Sequence, residues 1–389
     1  MSGSAQDWDS LAVSLRHDFH AHPELGFQEV RTAGIVAERL EAAGLVVSSG
    51  IATTGVVGVL HGDLPGKTIA WRADMDALPL QEEVDLPFRS KTDGVMHACG
   101  HDGHTAVALA LAEALAANRR QLHGNIVFIF QPAEEIFQGA RAMLKTGLLE
   151  NFEIDEVYGL HFTSNMPCGR IGVRPGPMWA SADGFEIQIQ GAGGHGAFPH
   201  LTVNPIMAAS QIAIGLPALV ALESSAQETL VLSIGEFHAG TAYNIIPETA
   251  QMSGSLRTLD DAARDQIMLR ILEYSQMVAK AHGAEARLTW SPHTCPCLIN
   301  HAHAAELVHQ CAVESEGESM VDHVKPSLAS DDMSLFLRER PGCYFKIGAA
   351  LEGPERPHHS PQFAIDDRAL AVALRVGDQV VRRAAQRVN

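Results

Sequence analysis

Between residues 8 and 43 apolar side chains recur at helical spacing and stop at Gly44, which predicts a helical opening stretch. Two runs of strand composition follow, residues 55–60 and 67–72, and the turn Gly62-Asp63-Leu64-Pro65-Gly66 between them predicts a hairpin. Residues 105–118 are rich in Ala and Leu and read as a buried helix. Residues 125–130 form an unbroken apolar strand, Pro132 starts a further helix, and residues 158–162 form another short buried strand. Strands alternating with helices predict an α/β layer fold.

The pattern changes near Ser181. Phe185, Ile187 and Ile189 alternate, then come a helix over 206–222, strands over 230–237 and 250–256, a helix over 260–282 and a strand over 286–290. That order, βαββαβ, is the ferredoxin-like split unit. After His301 helices return around one strand at 343–348. The economical arrangement is one discontinuous α/β domain, residues 1–179 and 293–389, interrupted by an inserted domain, residues 180–292, with junctions near Pro177 and Pro292.

Composition narrows the function classes. With 389 residues, 46% of them hydrophobic, the chain can fill two or three cores, and disorder is excluded. A formal charge of −18 disfavours nucleic acid and anionic lipid surfaces as partners. Residues 1–28 contain no basic segment followed by an apolar one, and the longest nearly apolar run, residues 105–117, contains Glu113 and is too short to span a bilayer; no signal peptide or membrane span is expected. Six scattered cysteines read as reduced thiols, and the expected location is cytoplasmic.

The chemistry is concentrated. His97-Ala98-Cys99-Gly100-His101-Asp102-Gly103-His104 places a thiol, three imidazoles and a carboxylate within one turn ahead of a buried helix, and Cys-x-His lets two side chains reach one borderline-soft ion, with the thiolate able to bridge two. The competing explanation is a helix cap by Asp102 with solvated histidines. Gln131-Pro132-Ala133-Glu134-Glu135 ends an apolar strand, where α/β sheets put their sites; one carboxylate can hold a metal while the other faces substrate as a base, or both only decorate a first helical turn. His161 lies within an apolar strand, His358-His359-Ser360-Pro361 in a late loop, and Asp74-Met75-Asp76 after a strand as ligand, orienting group or turn. Cys295-Pro296-Cys297 lacks a second pair and reads as interdomain thiols, and neither a nucleotide-binding glycine motif nor a Gly-x-Ser-x-Gly elbow is present.

Together the strings at 16–27, 73–79, 97–104, 131–135, 194–195 and 358–361 make the chain similar to the dinuclear-metal amidohydrolases, which include hippurate hydrolase, N-acyl-amino-acid amidohydrolases and auxin-conjugate hydrolases. The resemblance covers nearly the whole chain. It implies a zinc-exopeptidase-like catalytic domain with a ferredoxin-like lid and dimerisation domain. It also implies two divalent ions per subunit (zinc, manganese, nickel or cobalt) held by Cys99, His101, Glu135, His161 and His359. Glu134 would be the general base and Asp76 would orient the site. In more distant relatives a ligating histidine matches Asp74; here Cys99 and His101 take over that work. His195 would steady the scissile carbonyl of the neighbouring subunit in a homodimer, and Asn244 and Arg257 would meet the substrate. The guanidinium fork of Arg257 suits a carboxylate. Ser330-Asp331-Asp332-Met333 departs from the family's Glu-Asp-Phe.

The expected activity is hydrolysis of an N-acyl amino acid. A metallo-dipeptidase on the same scaffold is the nearest alternative. A cysteine acyltransferase using Cys99 and His101, and a metal-binding protein without catalysis, are the others.

Overall fold

The computed structural model describes residues 7–225 and 228–387. In chain order the principal elements are α1 (Trp8–Ala21), α2 (Val30–Ala42), β1 (Val46–Ile51), β2 (Gly55–His61), β3 (Leu64–Asp74), α3 (His101–Ala117), β4 (His123–Gln131), α4 (Gly139–Leu144), β5 (Glu156–Pro167) and β6 (Ile171–Val173). There follow β7 (Asp183–Gln190), α5 (Pro205–Glu223), β8 (Leu230–Ala239), β9 (Thr249–Thr258), α6 (Asp261–Ala281) and β10 (Glu285–Trp290), then α7 (Ala302–Glu316), β11 (Val321–His323), α8 (Met333–Glu339), β12 (Gly342–Ala350) and α9 (Arg368–Gln386). The chain divides into two compact units, one of Met1–Gly176, Ile299–Lys325 and Asp331–Asn389, the other of Pro177–Leu298 with Pro326–Ser330.

The first unit is built on an eight-stranded sheet in the order β1-β2-β4-β3-β5-β12-β6-β11. Its four central strands, β4, β3, β5 and β12, run parallel, so their carboxyl ends share one edge. The hairpin expected from 55–72 is not formed. Strand β4 lies between β2 and β3, antiparallel to one (Val59 opposite Val127) and parallel to the other (Ile69 opposite Ile126). Its run Ile126–Phe130 is wholly buried, and pairing on both sides satisfies a backbone that a two-stranded hairpin would leave half exposed. Helix α3 is buried almost all round, with Ala106 to Ala112 each at most 1% exposed, as its unbroken Ala and Leu composition requires.

The helix expected to start at Pro132 begins only at Gly139. Ala133 (φ 53°) and Phe137 (φ 52°) are left-handed, which no helix tolerates, so residues 132–138 form a turn. Gly139 closes it: a Cβ there would lie 1.5 Å from the Pro132 carbonyl oxygen. Glu134 and Glu135 therefore sit in a strained turn and not in a first helical turn.

In the second unit four antiparallel strands run in the order β8-β9-β7-β10, the order of the split βαββαβ fold. Phe185, Ile187 and Ile189 point into its core, as the alternation predicted. The 105–117 run is not the longest apolar one: α5, at 19 residues and mean hydropathy 1.8, exceeds it and by length and composition alone could cross a membrane. It packs Ala208, Ala209, Ile212 and Leu216 into this core and carries Pro217 inside the helix. Met207, Ile214 and Leu222 on it are 56%, 79% and 85% exposed. Cys295 and Cys297 are buried thiols of this unit, the latter donating to the Trp179 carbonyl at 3.3 Å.

Candidate metal centre

Gly100, left-handed at φ 94°, turns the chain into α3, so that Cys99 precedes the helix and His101 is its first residue. Asp74 ends β3 and Asp76 follows it, Glu134 and Glu135 follow β4, and His161 lies on β5, all in the first unit. The parallel sheet thus gathers these side chains near its carboxyl edge.

Among the described residues, five groups of three donors lie close enough to hold an ion, Glu134 entering one with His101 and Glu135 and another with Asp331 and Asp332, and two of the five share Cys99. The ligand atoms of Cys99, His101 and His161 lie within 4.8 Å of one another, as do those of Cys99, Glu135 and His359, so Cys99 belongs to both. The Cys99 Sγ is 3.5 Å from His161 Nε2, and His359 Nε2 is 3.3 Å from Glu135 Oε2. His101 and His161 are aimed by their other nitrogens. His101 Nδ1 donates to the Asp76 carbonyl at 2.9 Å, and His161 Nδ1 to the Phe162 carbonyl at 2.6 Å, which leaves both Nε2 lone pairs facing the cluster. Among the described residues, buried His101 Nε2 and Glu135 Oε1 find no hydrogen-bond partner. Polar atoms without hydrogen bonds are costly at such depth, and a bound cation gives both a partner, displacing the proton that the surrounding carboxylates favour on His101.

Electrostatics points the same way. Burial pushes the Glu135 carboxyl up to about 8, with Asp76 and Asp74 adding to the rise against His101. Burial, then Asp331, Glu135 and Asp332, hold Glu134 well above its ordinary range. Burial and Glu135 push the Cys99 thiol up. Crowded acids and a buried thiol that resist ionisation are what added positive charge would relieve.

Not every flagged side chain joins the cluster. His104 is spent: its Nδ1 donates to Asp74 Oδ1 at 2.6 Å and its Nε2 accepts the Phe162 amide at 3.0 Å. Asp74 accepts as well from Arg72 at 2.6 Å and is wholly buried, so it braces the site. Asp76 accepts the Glu135 amide at 3.0 Å through Oδ2 while its carbonyl orients His101. His358 turns its Nε2 to the Ser164 amide at 3.2 Å, and buried His97, pushed down to about 4 by burial, stands outside every ligand group.

Sequence reasoning gave no part in holding the Glu134 turn to the residues that do so. Glu29 Oε1 accepts the Ala133 amide at 2.9 Å, and a Cβ at Gly26 would lie 3.0 Å from the Ala133 Cα, tight enough to push on the turn. Asp332 accepts from Arg72 (3.0 Å), Gln131 (2.7 Å) and the Ala140 amide (3.0 Å), and its own amide lies 3.4 Å from Glu134 Oε1. The signal was an arginine and a glutamine inside otherwise apolar strands. The departing segment Asp331-Asp332-Met333 is buried beside this turn.

The second unit holds the other three candidates. Gly194-His195 pairs with Ile245-Ile246, and the Asn244 carbonyl accepts the Gly196 amide at 2.9 Å, which brings His195 and Asn244 onto one two-stranded arm. The His195 Nδ1 accepts from the Ala197 amide at 3.1 Å, so its proton sits on the exposed Nε2. Arg257, on β9, donates to the Leu328 carbonyl at 2.7 Å and Ser330 Oγ at 3.0 Å.

A parallel α/β sheet presenting thiol, imidazole and paired glutamates near its strand ends has the architecture of a hydrolase. Residues 70–383 match the model of Peptidase family M20/M25/M40, and the chain belongs to that family. It is 39% identical to the N-acetylcysteine deacetylase of Bacillus subtilis over 93% of each chain, and 39% identical to the hippurate hydrolase of Campylobacter jejuni over 92% of each. Thermostable carboxypeptidase 1 of Saccharolobus solfataricus is 37% identical over 94% of this chain and 92% of its own. The crystal structure of a dinuclear metal-binding M20 peptidase from Bacillus subtilis superposes with a TM-score of 0.84 at 36% identity, covering 97% of this chain and 98% of that one.

Proposed function

We propose that this hydrolase cleaves the amide bond of N-acyl amino acids, of the hippurate or N-acetyl type, with two divalent ions. The reading is carried by the two donor triads that share Cys99 beside a glutamate belonging to neither. Cys99, His101 and His161 would hold one ion and Cys99, Glu135 and His359 the other. Bound there, the ions would polarise the amide carbonyl and make water a better nucleophile. Glu134 takes a proton from the attacking water as its oxygen bonds to the carbonyl carbon. It then delivers that proton to the leaving nitrogen as the C–N bond breaks, giving a carboxylic acid and a free amino acid. Asp76 holds His101 and the Glu135 amide in register. Arg257 and Asn244 bind the amino-acid carboxylate and backbone, and the His195 Nε2–H donates to the developing oxyanion in the partner subunit of a homodimer.

The dimer is supported by apolar residues exposed around that arm and on α5, among them Tyr243 (103%), Leu201 (74%) and Ile214 (79%). The second unit, Pro177–Leu298 with Pro326–Ser330 where the sequence suggested 180–292, would form the dimerisation and lid domain, and the first unit the catalytic domain. None of the six cysteines forms a disulfide among the described residues, which suits the cytoplasm.

Activity on N-acetyl and N-benzoyl amino acids and on dipeptides, measured on protein of known metal content, tests the substrate class. N-acyl amino acids should lead in kcat/KM by about tenfold or more, the scale on which a shaped pocket discriminates. The carboxypeptidase relative favours a metallo-dipeptidase instead, and dipeptides leading by that margin would decide for it.

Metal uptake should depend on pH in a definite direction. Below about 8 Glu135 holds a proton in the metal-free protein, and so does Cys99, so ions must displace both. Affinity therefore rises from pH 6 to 8. Calorimetry in buffers of different ionisation enthalpy should show net proton release at pH 7, and a pH-independent affinity would contradict the ligand set.

A further inference from the structure

One buried cluster is left unused by this mechanism. Arg16 and His20, one turn apart on α1, both reach the Asp102 Oδ2, at 3.1 and 2.9 Å. The other nitrogen of His20 lies 3.2 Å from Glu82 Oε1, and Glu82 Oε2 accepts the Ser90 amide at 2.7 Å. Arg16 continues to the Ile365 carbonyl at 3.4 Å and to Asp367. Arg16, His20, Glu82 and Asp102 are each at most 1% exposed.

A histidine with a carboxylate on each nitrogen donates from both and is an imidazolium. Burial works against that charge, but the bonds to Asp102 and Glu82 prevail and raise the pKa of His20. Two cations, Arg16 and His20, then face two anions, Glu82 and Asp102, and the buried quartet is neutral; Asp367, the further carboxylate on Arg16, has its side chain 32% exposed to solvent and pairs also with His17. Removing one member of such a set leaves a buried charge uncompensated, which is far more costly than removing a matched pair.

The quartet is anchored to the metal-ligand loop: Asp102 directly follows His101 and stands in the first turn of α3, three residues beyond Cys99. We propose that His20 is a positioning residue for the Cys99 and His101 loop, acting by neutralising Glu82 and Asp102 so that the first turn of α3 keeps its place. This rests on the metal assignment above. His20→Gln would leave Glu82 and Asp102 facing Arg16 alone, and the excess negative charge would shift Asp102 and the ligands beside it. Glu82→Gln on the same background restores neutrality.

Cobalt(II) binding reads the loop directly, because a Cys99 thiolate on cobalt gives a charge-transfer band. His20→Gln should weaken cobalt affinity by roughly tenfold to a hundredfold and alter that band, while the His20→Gln/Glu82→Gln pair recovers most of both. Arg264→Ala, which breaks the 2.6 Å pair with Asp183 in the second unit, serves as a variant of lowered stability and should leave the band unchanged. A His20→Gln protein with the wild-type band and affinity would overturn the proposal, and so would a double variant no better than the single one. If His20→Gln does not fold, Glu82→Gln with Arg16→Gln, another matched removal, should fold with the wild-type band; an altered band there would equally overturn it. Wild-type protein with no thiolate-to-cobalt band would overturn the metal assignment itself, and this role with it.

Discussion

Replacing Glu134 by glutamine should lower turnover by about a hundredfold to ten-thousandfold, the range a general base supplies, while the protein keeps its metal. The amide cannot take the water proton, yet it preserves the size of the side chain and the contact with the Asp332 amide. Glu135→Gln should behave differently. Glu135 belongs to the triad with Cys99 and His359, and a neutral amide there is a poor ligand, so metal content should fall first and activity with it. Metal per chain and turnover, measured on both purified variants, separate the two roles. Equal metal loss in both would refute the division of labour between neighbouring glutamates. The division has a structural basis: the left-handed Ala133 puts the pair in a turn, where successive side chains diverge.

The candidate donor cluster was legible from sequence because its members are rare residue types packed into short strings, and because those strings lie at the ends of apolar strands that an α/β sheet gathers on one edge. Within a string, spacing and resemblance favoured His101 and His359, but not for a reason the chain itself displays. His101 and His104 look alike on paper; the fold separates them by giving both nitrogens of His104 to Asp74 and the Phe162 amide while leaving His101 Nε2 unpaired. His358 and His359 are separated in the same way by the Ser164 amide. The insertion of β4 between β2 and β3 was illegible for another reason. Strand pairing is a choice among long-range partners, and the turn at 62–66 spoke only for the nearest. The delayed start of α4 depends on positive φ at an alanine and a phenylalanine, residues that carry no sequence signal for it. In the second unit regular alternation specified each strand, and the split βαββαβ order followed with little left to tertiary choice.

Equal mixtures of two inactive proteins, His195→Ala and Glu134→Gln, should regain about a quarter of wild-type activity, because half of randomly formed dimers are mixed and each mixed dimer holds one site with both residues intact. The expectation follows from the proposal that His195 acts on its partner's substrate. Its Nε2 carries the proton, since Nδ1 is occupied by the Ala197 amide, and it is exposed on a two-stranded arm bearing Asn244. A donor of this kind aimed at a developing oxyanion is worth about a hundredfold to a thousandfold in turnover, so His195→Ala alone should be nearly inactive with its metal and KM little changed. If His195 instead served its own subunit, every site in the mixture would lack one of the two residues and no activity would return. Subunit exchange is verified by mass spectrometry of differently tagged chains. Verified mixed dimers without recovered activity would place the histidine's action within one subunit or remove it from catalysis altogether.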